Sequence, residues 1–243
     1  MEIKGKVAVV TGAGHRVGKV IALALAEAGA DIVVHYHRAA AEAAQTMSEI
    51  EALGVRAVAV AADLSQPTGA EVLFDTAREV FGGADILVNS AASMQAGNVL
   101  DLTPQAWQSV LDLNLSGPFF CAQQAARSML ERGGGSILNI ADLSALRPWA
   151  SYPAHSVSKA GLLMLTQVLA KSLAPAIRVN AIALGPVLKP DDWSDARWQA
   201  VADHTLLKHP GSGYDVARAA LFVLKSDFMT GATLTLDGGR LIA

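Results

Sequence analysis

Short runs rich in Val, Ile, Leu and Ala recur along the chain, at Val7–Val10, Ile32–His35, Ala57–Ala61, Ile86–Val88, Ser136–Ile140, Arg178–Ile182 and Thr233–Leu236. Brief apolar runs of this kind read as buried strands. Between them lie longer Ala-, Leu-, Glu- and Gln-rich stretches that read as helices: Val17–Ala28, Ala39–Leu53, Gly69–Phe81, Pro104–Arg132, Pro153–Leu173 and Tyr214–Lys225. Strand and helix in steady alternation predict a doubly wound α/β fold, a parallel sheet with right-handed crossovers and helices on both faces. Gly29 and Gly54 follow helix ends, Thr103-Pro104 starts a helix and Pro175 stops one, as helix punctuation requires. No repeat, low-complexity tract or linker interrupts the pattern, so residues 1–243 read as one domain. The least regular stretch, Lys189 to Gly213, holds Trp193, Trp198, His204 and His209 and is expected to form a substrate lid near the strand ends.

Composition narrows the function classes. Hydrophobic residues make up 52% and charged residues 17%, with a formal net charge of −3 and no Lys/Arg run, so neither nucleic acid nor an anionic membrane is an expected partner. A single cysteine, Cys121, excludes an intramolecular disulfide and a Cys-rich zinc site, and no metal is expected. No apolar stretch reaches the roughly 18 residues of a membrane span. The first ten residues read as a strand rather than a signal segment, and a soluble, cytoplasmic protein is expected.

The first strand runs into Thr11-Gly12-Ala13-Gly14-His15-Arg16-Val17-Gly18, which opens the first helix. Small residues at such a turn let the backbone approach a pyrophosphate, whose charge then rests on helix N–H groups. A strand before and a helix after make this a dinucleotide site. The second strand ends in His35-Tyr36-His37-Arg38 without the acid that bonds an NAD ribose. Arg38, with Arg16 from the turn, suits the 2′-phosphate of NADP(H) instead. His35 and His37 alternate along the strand, so only one of them faces the cofactor.

These residues resemble the short-chain dehydrogenase/reductase family, whose Rossmann fold the strand pattern matches, over essentially the whole chain. The resemblance rests on Thr11-Gly12…Gly18, Asp63-Leu64, Asn89-Ser90-Ala91-Ala92, Asn114, Lys159, Arg178-Val179-Asn180, Gly185-Pro186-Val187 and Asp237-Gly238-Gly239. The run from His35 to Ala43 and Arg16, where most members carry glycine, is similar to the pteridine reductases. The ending through Arg240 also resembles the dihydromonapterin reductases. The resemblance implies adenine contact for Asp63, a ribose-side role for Asn89, and nicotinamide carboxamide contact for Val187. It implies a homotetramer built on Pro104–Arg132 and Pro153–Leu173, whose Ala122, Ala125, Ala126, Ala160 and Gly161 would allow close subunit packing.

The family's serine, its tyrosine thirteen residues later and the lysine four beyond fall on Asp142, His155 and Lys159. Aspartate at the first position is shared with pteridine reductases; histidine at the second departs from the pattern. Hydride transfer to a carbonyl or imine leaves negative charge that an acid must neutralise. His155 and Lys159 keep i, i+4 geometry, but an imidazole near an ammonium is a weaker acid source at neutral pH than the pattern's tyrosine–lysine pair. Asp142 is the alternative acid if desolvation raises its pKa, and Tyr152, just outside the helix, is another. Met94 stands where pteridine reductases place a phenylalanine on the pterin ring, and a thioether can lie against a flat ring. Trp149, Trp193 and Trp198 are candidate stacking faces. The expected function is an NADPH-dependent reductase of a pterin-like ring or small carbonyl. The alternatives are an NADP(H)-binding protein with impaired catalysis and a carbonyl reductase or alcohol dehydrogenase unrelated to pterins.

Overall fold

The computed structural model describes residues 1–243. Seven strands, β1 (Val7–Val10), β2 (Asp31–Tyr36), β3 (Ala57–Ala61), β4 (Ile86–Asn89), β5 (Gly135–Asp142), β6 (Ile177–Leu184) and β7 (Thr233–Leu236), form one parallel sheet. The spatial order is β3-β2-β1-β4-β5-β6-β7. Every apolar run of the sequence is a strand, and β2, β4, β5 and β6 extend beyond the predicted ends.

The helices are α1 (Arg16–Glu27), α2 (Ala40–Glu51), α3 (Pro67–Phe81), α4 (Pro104–Leu111), α5 (Gly117–Glu131), α6 (Pro153–Leu173), α7 (Asp195–Ala202) and α8 (Gly213–Lys225). None is long and apolar enough to cross a membrane. Alternate residues of each strand enter opposite layers, because side chains flip face at every step. Ala8, Val10, Ile32, Val34, Ile86 and Val88 pack with Ile21, Leu25, Val216 and Val223. Val7, Val9, Val33, Leu87, Ile137 and Val179 pack on the other face with Leu73, Phe74, Ala122 and Met129.

Two segments depart from the sequence reading. The run Pro104–Arg132, expected as one helix, is interrupted by a π-turn at Asp112–Ser116. Pro118 has no N–H to return to the Asn114 carbonyl, so the ladder cannot continue unbroken through this point. A Cβ on Gly117 would also stand 2.6 Å from the Leu64 carbonyl oxygen, which keeps this stretch close to the sheet. The π-turn places Asn114 in the interior, 1% exposed. Within the stretch expected to be irregular, 189–213, residues Asp195–Ala202 form α7, with Ser194 accepting the Arg197 N–H at its start.

At the amino-terminal edge of the sheet a buried carboxylate ties three strands together. Asp85 accepts the Val7 N–H (2.9 Å) and both Nε (3.1 Å) and Nη2 (2.9 Å) of Arg132, at the end of α5. Its backbone pairs with Val7 and Ser136. The strand order reverses between β1 and β4 at the opposite, carboxyl edge, where open α/β sheets bind their ligands.

Candidate active site

The turn after β1 is held from behind by side chains. The Gly12 N–H donates to His35 Nδ1 (3.0 Å), whose Nε2 lies 3.1 Å from the Ala62 carbonyl. Burial lowers the His35 pKa to about 4, so the ring is neutral and its nitrogens serve the protein. His35 therefore supports the turn from inside, and of the two histidines His37 is exposed. Thr11 Oγ1 accepts the Ser90 and Ala91 N–H groups, linking the turn to the end of β4. Gly12 has φ +64, and a Cβ there would sit 3.0 Å from Ala91 Cα; on Gly18 it would sit 2.2 Å from the Gly12 carbonyl oxygen. No side chain fits at Gly12 or Gly18; His35 takes the Gly12 and Ala13 N–H groups, and those of Gly14 and His15 at the entry to α1 are left for a pyrophosphate.

A cleft of about 950 Å³ runs from this turn across the carboxyl ends of the strands. Gly12, His15, Arg16, Val17, Gly18, His37, Arg38, Leu64, Ser90 and Ala91 line one part of it, and Gly185 and Val187 another. Arg38 is exposed and has no carboxylate partner. A free guanidinium after β2 and an anion cradle after β1 fit the phosphates of NADP(H).

Three expected cofactor contacts have partners within the protein, and of these only Arg16 lines the cleft. Arg16, at φ +50 in a region that favours glycine, donates to the Leu188 and Lys189 carbonyls (3.2 and 3.1 Å). Asp63 accepts the Ser65 N–H and hydroxyl, bonds that hold its carboxyl below the usual range, and it does not line the cleft. Asn89 lies beneath the cleft, its amide donating to Asn139 Oδ1 (2.9 Å), while Ser90, Ala91 and Ala92 reach the surface.

Asp142, His155 and Lys159 come together at the cleft between β5 and α6. His155 Nε2 stands 2.7 Å from Asp142 Oδ2, and the ring is buried. The other carboxylate oxygen accepts the Ser144 N–H (2.8 Å) and hydroxyl (2.5 Å). His155 Nδ1 lies 3.1 Å from the Ser93 carbonyl. Asn114 grips Ser93 twice, Oδ1 accepting its N–H (2.8 Å) and Nδ2 donating to its carbonyl (2.9 Å). Burial pushes the Asp142 pKa up, but the His155 hydrogen bond, the Lys159 charge and Ser144 outweigh it, and the net direction is down. The condition under which Asp142 would itself be the acid, a pKa raised by desolvation, is not met: its neighbours keep it a carboxylate. Lys159 donates to the Ile140 carbonyl (2.8 Å), and its burial lowers its pKa against the raising effect of Asp142.

Four aromatic side chains and a thioether stand in the remaining cleft wall. Met94, Trp149, Tyr152, Trp193 and Trp198 all line it. Tyr152 sits one residue before α6, and Trp149 lies nearly parallel to the His155 ring, 14° apart with centroids at 6.1 Å. Sequence reasoning missed the Ser93 carbonyl and the Ser144 clamp, since a backbone acceptor has no sequence signal and Ser144 shows only as a short polar neighbour.

Comparison with known proteins agrees with this geometry. A family model described as enoyl-(acyl carrier protein) reductase matches residues 12–240. The 3beta-hydroxysteroid dehydrogenase 1 of Eggerthella lenta is 35% identical, over 98% of this chain and 94% of its own. The L-sorbose reductase of Gluconobacter frateurii, solved with NADPH and L-sorbose, superposes with a TM-score of 0.93 at 31% identity over 100% of both chains. A short-chain dehydrogenase of Burkholderia cenocepacia J2315 solved with NADP gives 0.91 at 34% identity over 99% of each. With the glycine cradle, the parallel sheet and its carboxyl-edge cleft in place, the chain belongs to the short-chain dehydrogenase/reductase family.

Proposed function

We propose that this protein is an NADP(H)-dependent reductase of a carbonyl or pterin-like ring, with Asp142 and His155 handling the proton. The observation that carries this reading is the 2.7 Å contact between His155 Nε2 and Asp142 Oδ2 at the cleft wall. Arg38 and the turn Gly12–Gly18 hold the cofactor. Hydride is the chemistry that NADPH supplies when bound. His155 Nδ1 faces an acceptor, the Ser93 carbonyl (3.1 Å), and a donor, the Asn114 amide nitrogen (3.3 Å). In the proton-carrying form the ring holds hydrogen on both nitrogens; the Nε2–H, hydrogen-bonded to the Asp142 carboxylate, is the proton that charge developing on the substrate draws, leaving a neutral ring. Asn114 positions this relay by holding Ser93, and Lys159 keeps the Asp142 carboxylate electrostatically supported. His155 takes the place of the family's tyrosine in this scheme.

The aromatic wall and Asp142 support a flat ring as substrate, and the same wall accepts a non-pterin ketone. Residues 189–213, rooted by Arg16 and stiffened by α7, act as the lid of a single domain. A second reading, a cofactor-binding relative without turnover, is favoured by one fact: both nitrogens of His155 already meet protein groups. NADPH oxidation against dihydrobiopterin, dihydrofolate and a diketone panel decides between them. Turnover is expected, with Arg38→Gln raising the KM for NADPH and leaving that for NADH unchanged; NADPH binding with no turnover of any substrate leaves the second reading.

Of the five small residues expected at the subunit contact, Ala160 is exposed and Gly161 half-buried on α6. Ala122, Ala125 and Ala126 are buried in the core. The same two segments expose Phe119 and Leu130 on α5 with Val157, Met164 and Val168 on α6. We read this face as the contact of a homotetramer, and sedimentation showing a stable monomer would overturn that.

A further inference from the structure

All four arginines that line the cleft, Arg16, Arg38, Arg197 and Arg240, lack a carboxylate partner. They fall into two groups. Arg16 and Arg38 follow β1 and β2, where the cofactor phosphates are accounted for. Arg197 lies on α7 after β6 and Arg240 follows β7, three to five strand positions from β1 and β2 in the sheet order, and the two groups approach where Arg16 reaches the Leu188 and Lys189 carbonyls. This second pair has no role in the cofactor site described above.

The pair is built into one place. Arg240 Nη1 donates to the Val201 carbonyl (2.8 Å), one helical turn beyond Arg197 on α7. The Arg197 guanidinium lies 3.8 Å over the Trp193 ring, and Trp198 meets Trp193 edge-on at 6.4 Å. Of the nearby acids, Asp195 is engaged by Lys189 and Asp237 by the Gly239 and Leu241 N–H groups, while Asp191 and Asp192 are exposed just before Trp193 and do not line the cleft. The one carboxylate lining the cleft, Asp142, is held by His155 and Ser144. In a chain of net charge −3, two uncompensated guanidiniums beside two indoles at the substrate end are a cation–aromatic combination suited to a flat acid.

We propose that Arg197 and Arg240, set against Trp193 and Trp198, form an anion-recognition subsite, and that the substrate is a flat carbonyl compound carrying a carboxylate. This specifies the ligand of the reductase reading and rests on it for the carbonyl alone. The carboxylate is placed at the lid end of the cleft, with the carbonyl toward Asp142. Charge-assisted hydrogen bonds from guanidinium give such a ligand about tenfold or more over its neutral analogue.

The test is calorimetric and needs no turnover. Naphthalene-2-carboxylate and its methyl ester are titrated into NADP⁺-saturated protein. The carboxylate is expected to bind about tenfold more tightly. Arg197→Gln and Arg240→Gln should each erode that preference, Arg240→Lys should restore part of it, and Trp193→Ala should weaken both ligands alike. NADP⁺ affinity should stay unchanged in the arginine variants. Equal binding of acid and ester, or a preference that survives both glutamine variants, overturns the subsite. Loss of NADP⁺ affinity in those variants overturns it too, assigning the arginines to the cofactor. A carboxylate preference in a protein that reduces no ketone supports the subsite while sinking the reductase reading.

Discussion

Asp142→Asn is expected to lower kcat/KM for reduction by about 10²–10⁴-fold, the range that a positioned proton-transfer group supplies. The carboxamide keeps the size of the side chain and removes the acceptor that holds His155 Nε2 at 2.7 Å. It also removes the negative charge that faces the buried Lys159. Ser144 can still donate to the amide oxygen, so the loop after β5 should keep its shape and NADPH binding should survive. Burial raises the Asp142 pKa while His155, Lys159 and Ser144 lower it by more. The carboxylate therefore persists as pH falls through the ordinary aspartate range near about 4. The wild-type acid limit set by this group lies below that range, and the asparagine variant should lack the limb altogether. His155→Tyr is the companion. If it restores a tyrosine-like alkaline limb without loss of rate, the histidine is a working substitute. If it turns an inert protein into an active one, the proposed relay is wrong.

The largest effect on stability is expected at Asp85. Asp85→Ala removes the partner of Arg132 and leaves the Val7 N–H without an acceptor beneath the sheet edge. The Asp85 side chain is 2% exposed but Arg132 is 29% exposed, so water recovers part of the lost guanidinium solvation. Breaking a fully buried pair costs about 3–5 kcal/mol; with Arg132 partly wet, about 2–4 kcal/mol is expected. In a chain of this size each kcal/mol moves Tm by about 2–4 °C. Burial raises the Asp85 pKa, but Arg132, the Val7 N–H and Lys6 lower it by more, so the folded value is depressed. A depressed carboxyl contributes its full stability above the unfolded pKa of about 3.9 and loses it as pH falls through the folded value. The gap in unfolding free energy between wild type and Asp85→Ala should be widest at neutral pH and close in acid below about pH 4. A gap that stays constant to low pH would assign the loss to packing rather than to the ion pair.

Much of this molecule is written locally. The seven apolar runs become the seven strands: β1, β2, β4, β5 and β6 bury on both sheet faces, and the edge strands β3 and β7 are partly covered. The glycine turn is legible as well: Gly12 and Gly18 are demanded by backbone approach within a few residues. The i, i+4 spacing of His155 and Lys159, and the distance back to Asp142, likewise marked three side chains that do meet. What the sequence could not decide is where each polar atom points. His35 turns inward because Gly12 and Ala62, 23 and 27 residues away, offer its nitrogens partners. Arg16 meets carbonyls more than 170 residues along the chain. Asp142 keeps its charge because Lys159 and His155 are close in space and outweigh desolvation. Strand formation follows from short-range sterics and the apolar pattern, whereas hydrogen-bond partners and the sign of a pKa shift depend on through-space neighbours that only the assembled fold provides.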